Sequence, residues 1–166
     1  MVTDFDWIKS VTMRRATVAD AAPISRLIAA LSRPFLLSAD GVGAEVFLAA
    51  VGEAAIAGYI EDADFRYWLA EANGELAGVV AMRDHRHLYH LFVAEVFQNR
   101  GLARHLWQWV KTGALDAGNP GEFTVNASLN AVAVYRRFGF VELGAAVQAN
   151  GVAFQPMRAV LGSGNA

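Results

Sequence analysis

Two arginines, Arg100 and Arg104, bracket the first predicted turn of a helix that begins after Gly101. A cation at this position is unfavourable by roughly 0.3–1 kcal/mol, because the N-terminal end of a helix dipole is positive. The same end leaves backbone N–H groups unpaired and therefore suits a phosphate group. We interpret the arginines as partners of a bound polyphosphate; the alternative is a surface helix with solvated arginines.

The elements that must position this turn can be predicted from apolar spacing, which has a period of two in strands and about 3.6 in helices. Asn-Gly pairs at 73–74 and 150–151 predict hairpin turns. The predicted strands are 11–17, 65–72, 76–82, 88–93, 123–127, 141–149 and 152–158. The predicted helices are 23–31, 45–60, one from 102 that ends at Gly118, and a short one from Asn130. This order indicates an α/β (α+β) fold in which about seven strands form one mixed sheet with helices on both faces.

Composition restricts the class of protein. The 166 residues suit one domain, which we place at 11–160, with an N-terminal extension over 1–10 and a flexible tail over 161–166. The absence of cysteine excludes disulfides, a thiolate zinc site and a cysteine nucleophile. A net charge of −2 with scattered arginines argues against a nucleic-acid partner.

Two further expectations concern location and assembly. We find neither a signal peptide nor an apolar run that could span a membrane, so we expect a cytoplasmic protein without a membrane partner. A hydrophobic content of 55% is high for a small domain, and our hypothesis is that a homodimer covers some apolar surface.

Two motifs in this order of elements resemble the GCN5-related N-acetyltransferase (GNAT) superfamily. The turn Gln98-x-x-Gly101-x-Ala103 resembles its Arg/Gln-x-x-Gly-x-Gly/Ala acyl-CoA signature. The block 126–140 resembles its Asn-Ala-x-x-x-Tyr-x-x-x-Gly-Phe element. The resemblance covers about 11–158 and implies a mostly antiparallel central sheet.

The resemblance also implies acetyl transfer from acetyl-CoA, used as a cosubstrate, directly to a primary amine of a small molecule, amino acid or peptide. By position, the strand residues Leu91, Phe92 and Val93 would line the pantetheine arm, and Asn130 would hydrogen-bond it. Tyr135 would lie near the thioester sulfur. The pyrophosphate would be held by Gln98, Asn99, Arg100, Gly101, Leu102 and Ala103, with Arg104 beside them.

Acetyl transfer needs a proton for the leaving thiolate, stabilisation of an oxyanion and a neutral amine. Tyr135 is the candidate acid; the alternative is a helix residue that only packs on Phe140. The oxyanion donor is predicted to be the backbone N–H of Phe92 or Val93. His90 and Glu95 are candidate bases, and Glu95-Val96 departs from the proline and acidic residue of many members.

No metal site is expected, because His85 and His87 share a strand face without an obvious carboxylate or thiolate ligand. Acceptor specificity is predicted to lie in the first helices, the loop 32–43 and the last hairpin. The few acidic residues there argue against a polyamine. The apolar residues of these stretches are Phe35, Leu36, Leu37, Phe47 and Val147. The aromatic residues assigned to the core are Phe65, Tyr67, Trp68, Trp107 and Trp109.

Two rival functions stay open. A catalytically silent acyl-CoA-binding regulatory module would bind acetyl-CoA without turnover. A nucleotide-binding domain could use the same helix N-terminus, but its usual glycine-rich signatures are missing.

Overall fold

The computed structural model describes residues 4–162, and within that range six α-helices surround one sheet of eight strands. The helices are α1 (Asp4–Lys9), α2 (Ala21–Ser32), α3 (Glu45–Ala50), α4 (Glu53–Glu61), α5 (Leu102–Asp116) and α6 (Val132–Arg137). The strands are β1 (Thr12–Arg15), β2 (Phe65–Ala72), β3 (Glu75–Arg83), β4 (His87–Val93), β5 (Glu122–Ser128), β6 (Val141–Glu142), β7 (Val147–Ala149) and β8 (Val152–Val160). No helix in the described range is both long and apolar enough to cross a membrane.

The sheet has the strand order β1-β2-β3-β4-β5-β8-β6, and β7 also pairs with β8. Every pairing is antiparallel except that of β4 with β5. This confirms the predicted mixed, mostly antiparallel sheet. There are eight strands rather than about seven because the predicted strand 141–149 is two short strands, β6 and β7.

The parallel pair β4 and β5 is joined only at its start. His87 is opposite Thr124 and Leu88 is opposite Val125, and no further pairs follow. Strand β5 pairs with β8 along its whole length on the other side. A gap therefore opens between β4 and β5 beyond Leu88, in the middle of the sheet.

Helices pack on both faces of the sheet, as predicted. On one face, α5 buries Leu106 and Trp107 against Phe123 of β5. On the other face, α2 and α4 bury Ile28 and Ile56 against β2 and β3. The two apolar layers hold the sheet between them and fix the position of the gap.

The N-terminal helix α1 is packed on the domain. Trp7 is 7% exposed and stacks on Phe97, with 5.9 Å between ring centroids. Most of the predicted tail lies outside the described residues. Its first residue is held in place, since the Leu161 N–H donates to the carbonyl oxygen of Gly121 at 2.7 Å.

Two predicted boundaries differ from the structure. The helix predicted over 45–60 is two helices, because Gly52 adopts an extended conformation and starts α4, whereas Gly58 continues inside α4. The first strand ends at Arg15 rather than Thr17. The backbone N–H of Thr17 donates to the Asp20 carboxylate at 2.7 Å, and this turn leads into α2.

Candidate active site

A cleft of about 510 Å³ occupies the gap between β4 and β5. This volume is in the usual range for small-molecule sites. Side chains and backbone from α2, α3, both strands, α6 and the last hairpin line it. Among them are Phe35, Phe47, His90, Leu91, Phe92, Val93, Gln98, Asn130, Tyr135 and Phe154.

A bulge shapes the β4 side of the cleft. Ala81 of β3 is opposite His90, but the next residue, Met82, is opposite Leu88, so Tyr89 is an extra residue on β4. Tyr89 packs on the α2–α4 layer, and His90 hydrogen-bonds to Tyr67 of the same layer. The bulge therefore directs two successive side chains to one face.

The backbone of β4 after the bulge has free groups on the gap side. Phe92 is opposite Val79 in the pairing of β4 with β3. Two residues further on, the N–H of Ala94 donates to the carbonyl oxygen of Ala77 at 2.8 Å. Backbone hydrogen bonds alternate along an antiparallel pair, so the N–H of Phe92 points to β3 and that of Val93 points to the gap. Of the two predicted oxyanion donors, only Val93 has this orientation.

Tyr135 of α6 is 7% exposed and lines the cleft. Its ring lies 5.6 Å from that of Phe140, which is the packing contact that the alternative interpretation expected. No described group hydrogen-bonds to its hydroxyl, and no described side-chain polar atom is buried without a partner, so the oxygen is open to the cleft. Burial raises the pKa of this phenol, which stays protonated.

His90 is buried, and its Nδ1 shares a hydrogen bond of 2.8 Å with the Tyr67 hydroxyl. Burial lowers the pKa of His90 to about 3. An imidazole with this pKa is a weak proton acceptor at neutral pH. The geometry favours a positioning role for His90 over the predicted role of general base.

Glu95 does not lie in the cleft with the other predicted catalytic residues, Tyr135 and His90. It is exposed, begins a turn of 3-10 helix over Glu95–Phe97, and does not line the cleft. The departure from the family pattern noted at this position therefore adds a carboxylate outside the cleft.

The N-terminus of α5 is open to a ligand. Gly101 precedes the helix with φ of +84°, and no described side chain caps the helix. The His105 N–H donates to the carbonyl oxygen of Gly101 at 3.1 Å. Leu102 can contribute only backbone, because its side chain is 1% exposed and lies in the core.

Arg100 and Arg104 are each supported by an aromatic ring. The Arg100 guanidinium lies 4.1 Å from the Trp7 ring centroid, and that of Arg104 lies 5.3 Å from the Phe138 ring centroid. No described carboxylate forms an ion pair with either guanidinium. Both charges therefore stay available for an anion near the start of α5.

Polar groups continue the cleft towards this turn. The Gln98 side-chain amide donates to the carbonyl oxygen of Val93 at 3.0 Å, and the Ser128 hydroxyl donates to Asn130 Oδ1 at 2.7 Å. The rest of the predicted phosphate turn, including Asn99 and Ala103, lies beyond the cleft lining. Within the described part of the chain, no group of three or more possible ligands is arranged to hold a metal ion.

Sequence reasoning missed the tyrosines around His90. The sequence predicts Tyr67 in the core, and it is buried, but its hydroxyl also orients His90. Tyr89 lines the cleft because of the bulge. Alternation alone could not indicate this, since a bulge changes which face each later residue occupies.

Comparisons with known proteins agree with this geometry. Residues 35–161 match the family described as Acetyltransferase (GNAT) domain. A GCN5-related N-acetyltransferase structure from Rhodopseudomonas palustris is 23% identical with a TM-score of 0.75, covering 92% of this chain and 96% of that chain. PaiA N-acetyltransferase from Thermoplasma acidophilum, in complex with coenzyme A, is 14% identical with a TM-score of 0.70, covering 91% and 99%.

A third similar structure is spermidine N-acetyltransferase from Vibrio cholerae, in complex with CoA and spermine. It is 20% identical with a TM-score of 0.65, covering 92% of this chain and 96% of that chain. At these identities the structures establish a shared fold. No curated protein matches the chain.

Proposed function

The chain belongs to the GNAT acetyltransferase family, and from that premise we propose that it moves the acetyl group of acetyl-CoA directly to a primary amine of a small molecule, amino acid or peptide. The observation that carries the proposal is the Tyr135 hydroxyl, which has no described hydrogen-bond partner and opens into the gap between β4 and β5.

The residues present fit acetyl-CoA, which supplies a reactive thioester when bound. The free backbone groups of β4 suit an extended amide-containing arm, and Asn130 offers a side-chain amide at the opposite wall. The uncapped start of α5, with Arg100 and Arg104, suits phosphates. The CoA complexes of the similar Thermoplasma and Vibrio proteins support the same donor.

The chain supplies two chemical functions in this proposal. The Val93 N–H stabilises negative charge on the carbonyl oxygen, and the protonated Tyr135 donates a proton to the departing sulfur. The absence of cysteine is consistent with direct attack by the amine. The nitrogen that forms the amide bond loses one proton, which replaces the proton that Tyr135 gives to the sulfur, so the step balances without a further base. His90, paired with the Tyr67 hydroxyl, keeps a positioning role.

The test is release of the CoA thiol from acetyl-CoA in the presence of a panel of primary amines. We expect thiol release that depends on one class of amine. Tight binding of acetyl-CoA without thiol release for any amine would overturn the proposal and leave the regulatory module as the function.

A further inference from the structure

The lining of the cleft carries no fixed charge. None of the described residues that line it is an aspartate, glutamate, lysine or arginine. Its two histidines, His87 and His90, are neutral at physiological pH because burial lowers the pKa of His87 to about 4 and that of His90 to about 3. The cleft therefore offers no side-chain charge that could compensate an ammonium group.

Aromatic rings from three elements form one wall of the cleft. We call Phe35, Phe47, Tyr89 and Phe92 the aromatic wall; all four are partly exposed and line the cleft. The rings of Phe35 and Phe92 are 6.2 Å apart, and Phe47, Tyr89 and Phe92 pack on the α2–α4 layer. The wall offers exposed apolar area to a ligand.

The polar atoms next to the aromatic wall are already paired. The Tyr89 hydroxyl donates to the Tyr59 hydroxyl at 3.1 Å, which in turn donates to the carbonyl oxygen of Ala50 at 3.1 Å. The Tyr67 hydroxyl is paired with His90. The Arg83 guanidinium, outside the cleft, lies 5.6 Å from the Tyr89 ring centroid. Its positive charge repels a second cation bound at the same ring.

From these observations we infer that the acceptor is a primary amine with an aromatic or bulky aliphatic body and no second charge, bound with that body on the aromatic wall. The inference rests on the proposed function and names its substrate class. Binding such a body removes apolar area from water, whereas a second ammonium group would lose its hydration without gaining a carboxylate partner. Polyamines, the ligand class seen in the Vibrio structure, are therefore poor acceptors for this chain.

The test compares amines of similar size: 2-phenylethylamine, an unbranched alkylamine, the free amino acid phenylalanine and spermidine. For each, kcat/KM is measured from thiol release with acetyl-CoA, and binding is measured by calorimetry in the presence of CoA. We expect kcat/KM for 2-phenylethylamine to exceed that for spermidine by about 100-fold, since a single methylene group in a hydrophobic pocket already changes kcat/KM about 10- to 200-fold.

Two variants tie the preference to the wall. Phe47→Ala should lower kcat/KM for 2-phenylethylamine at least about tenfold, whereas Leu48→Ala, on the same helix but outside the cleft lining, should not change it. Val46 is 64% exposed at the cleft rim, and Val46→Glu should raise relative kcat/KM for spermidine.

The outcomes separate the two proposals. If spermidine or another multiply charged amine is the best acceptor, the acceptor class is wrong while the transferase function stands. If 2-phenylethylamine binds best but no amine releases thiol, the ligand preference of the aromatic wall stands and the proposed function fails. Equal binding of all four amines, or of none, would overturn the inference.

Discussion

Tyr135 differs from the other tyrosines of the chain in the state of its hydroxyl. The hydroxyls of Tyr59, Tyr67 and Tyr89 all have hydrogen-bond partners, whereas that of Tyr135 has none among the described residues. Burial raises the pKa of Tyr135, so the phenol stays protonated, and its free O–H group can hydrogen-bond to the sulfur and give up its proton as negative charge develops there. The role of Tyr135 can therefore be tested by removing only its hydroxyl oxygen.

We expect Tyr135→Phe to lower kcat about 100-fold, the lower end of the usual contribution of a general acid, with the Kd for acetyl-CoA unchanged. Steady-state kinetics and calorimetry measure the two quantities. Tyr59→Phe is the matched control, because Tyr59 does not line the cleft, and it should retain kcat. Unchanged kcat in Tyr135→Phe would leave only the packing contact with Phe140.

Gly101 is predicted to leave the N-terminus of α5 open to phosphate, and a second glycine of the chain provides the control for this prediction. Gly101 and Gly118 lie just outside opposite ends of α5, both with positive φ, and a Cβ at either position would meet no atom within 4 Å. Replacing either by valine costs similar backbone strain, ~1–2 kcal/mol. Only Gly101→Val should also weaken acetyl-CoA binding, by about tenfold or more, because it blocks approach to the α5 N–H groups. Equal Kd values for the two variants would remove the phosphate site from α5.

At the scale of elements, the two Asn-Gly hairpins differ in their surroundings. Both pairs have positive φ, 54° and 76° at Asn73-Gly74 and 54° and 75° at Asn150-Gly151. A Cβ on Gly74 would meet nothing within 4 Å, but one on Gly151 would lie 2.5 Å from the backbone of Gly43. The β7–β8 hairpin is thus packed on the loop before α3, at one end of the cleft.

Gly151→Ala should therefore destabilise the protein more than Gly74→Ala, by an additional ~1–3 kcal/mol from the steric clash. Urea unfolding of both variants measures this difference, and Gly74→Ala accounts for the strain of positive φ alone. In addition, Gly151→Ala should raise KM for the amine without changing the Kd for acetyl-CoA. Equal free energies of unfolding would mean that the hairpin tip does not contact the loop in solution.

Elements with local signals were predictable, and those set by distant pairing were not. The turn at Asn73-Gly74 and the start of α5 at Gly101 follow from backbone preferences of one or two residues. The gap between β4 and β5 and the bulge at Tyr89 depend on how strands far apart in sequence are paired, which apolar spacing does not encode. The contact of Arg100 with Trp7 is not predictable for the same reason, since the sequence of 1–10 indicates only an N-terminal extension.

At the scale of the whole molecule, buried neutral histidines make stability depend on pH. Burial lowers the pKa of His87 to about 4 and that of His90 to about 3, from an ordinary value of 6.5. As pH falls below 6.5, the unfolded chain binds protons that the native chain does not. The stabilisation is fully present above pH 6.5 and is lost as pH falls towards 4 and then 3.

We expect the free energy of unfolding to decrease between pH 7 and pH 5 by up to ~1.4 kcal/mol per pH unit below 6.5 for each histidine. Urea unfolding at the two pH values measures it. His87→Gln removes one of the two groups and should reduce the pH dependence. A free energy that is constant over this range would contradict the neutral, buried state of both side chains.

The homodimer hypothesis, which concerns assembly of the whole molecule, stays a prediction. Several large apolar side chains are well exposed, including Val42 at 67%, Val96 at 76% and Val141 at 63%. Exposed apolar area of this kind suits an interface between subunits. We expect sedimentation velocity at micromolar concentration to give a dimer, and a clean monomer would contradict the hypothesis.

The central claim is direct acetyl transfer from acetyl-CoA to an amine. Thiol release and mass spectrometry of the amine can be followed in one reaction, with wild type and Tyr135→Phe side by side. We expect one acetylated amine per thiol released and a much slower reaction in Tyr135→Phe. Thiol release without acetylated amine, or no turnover with any amine despite tight acetyl-CoA binding, would contradict it.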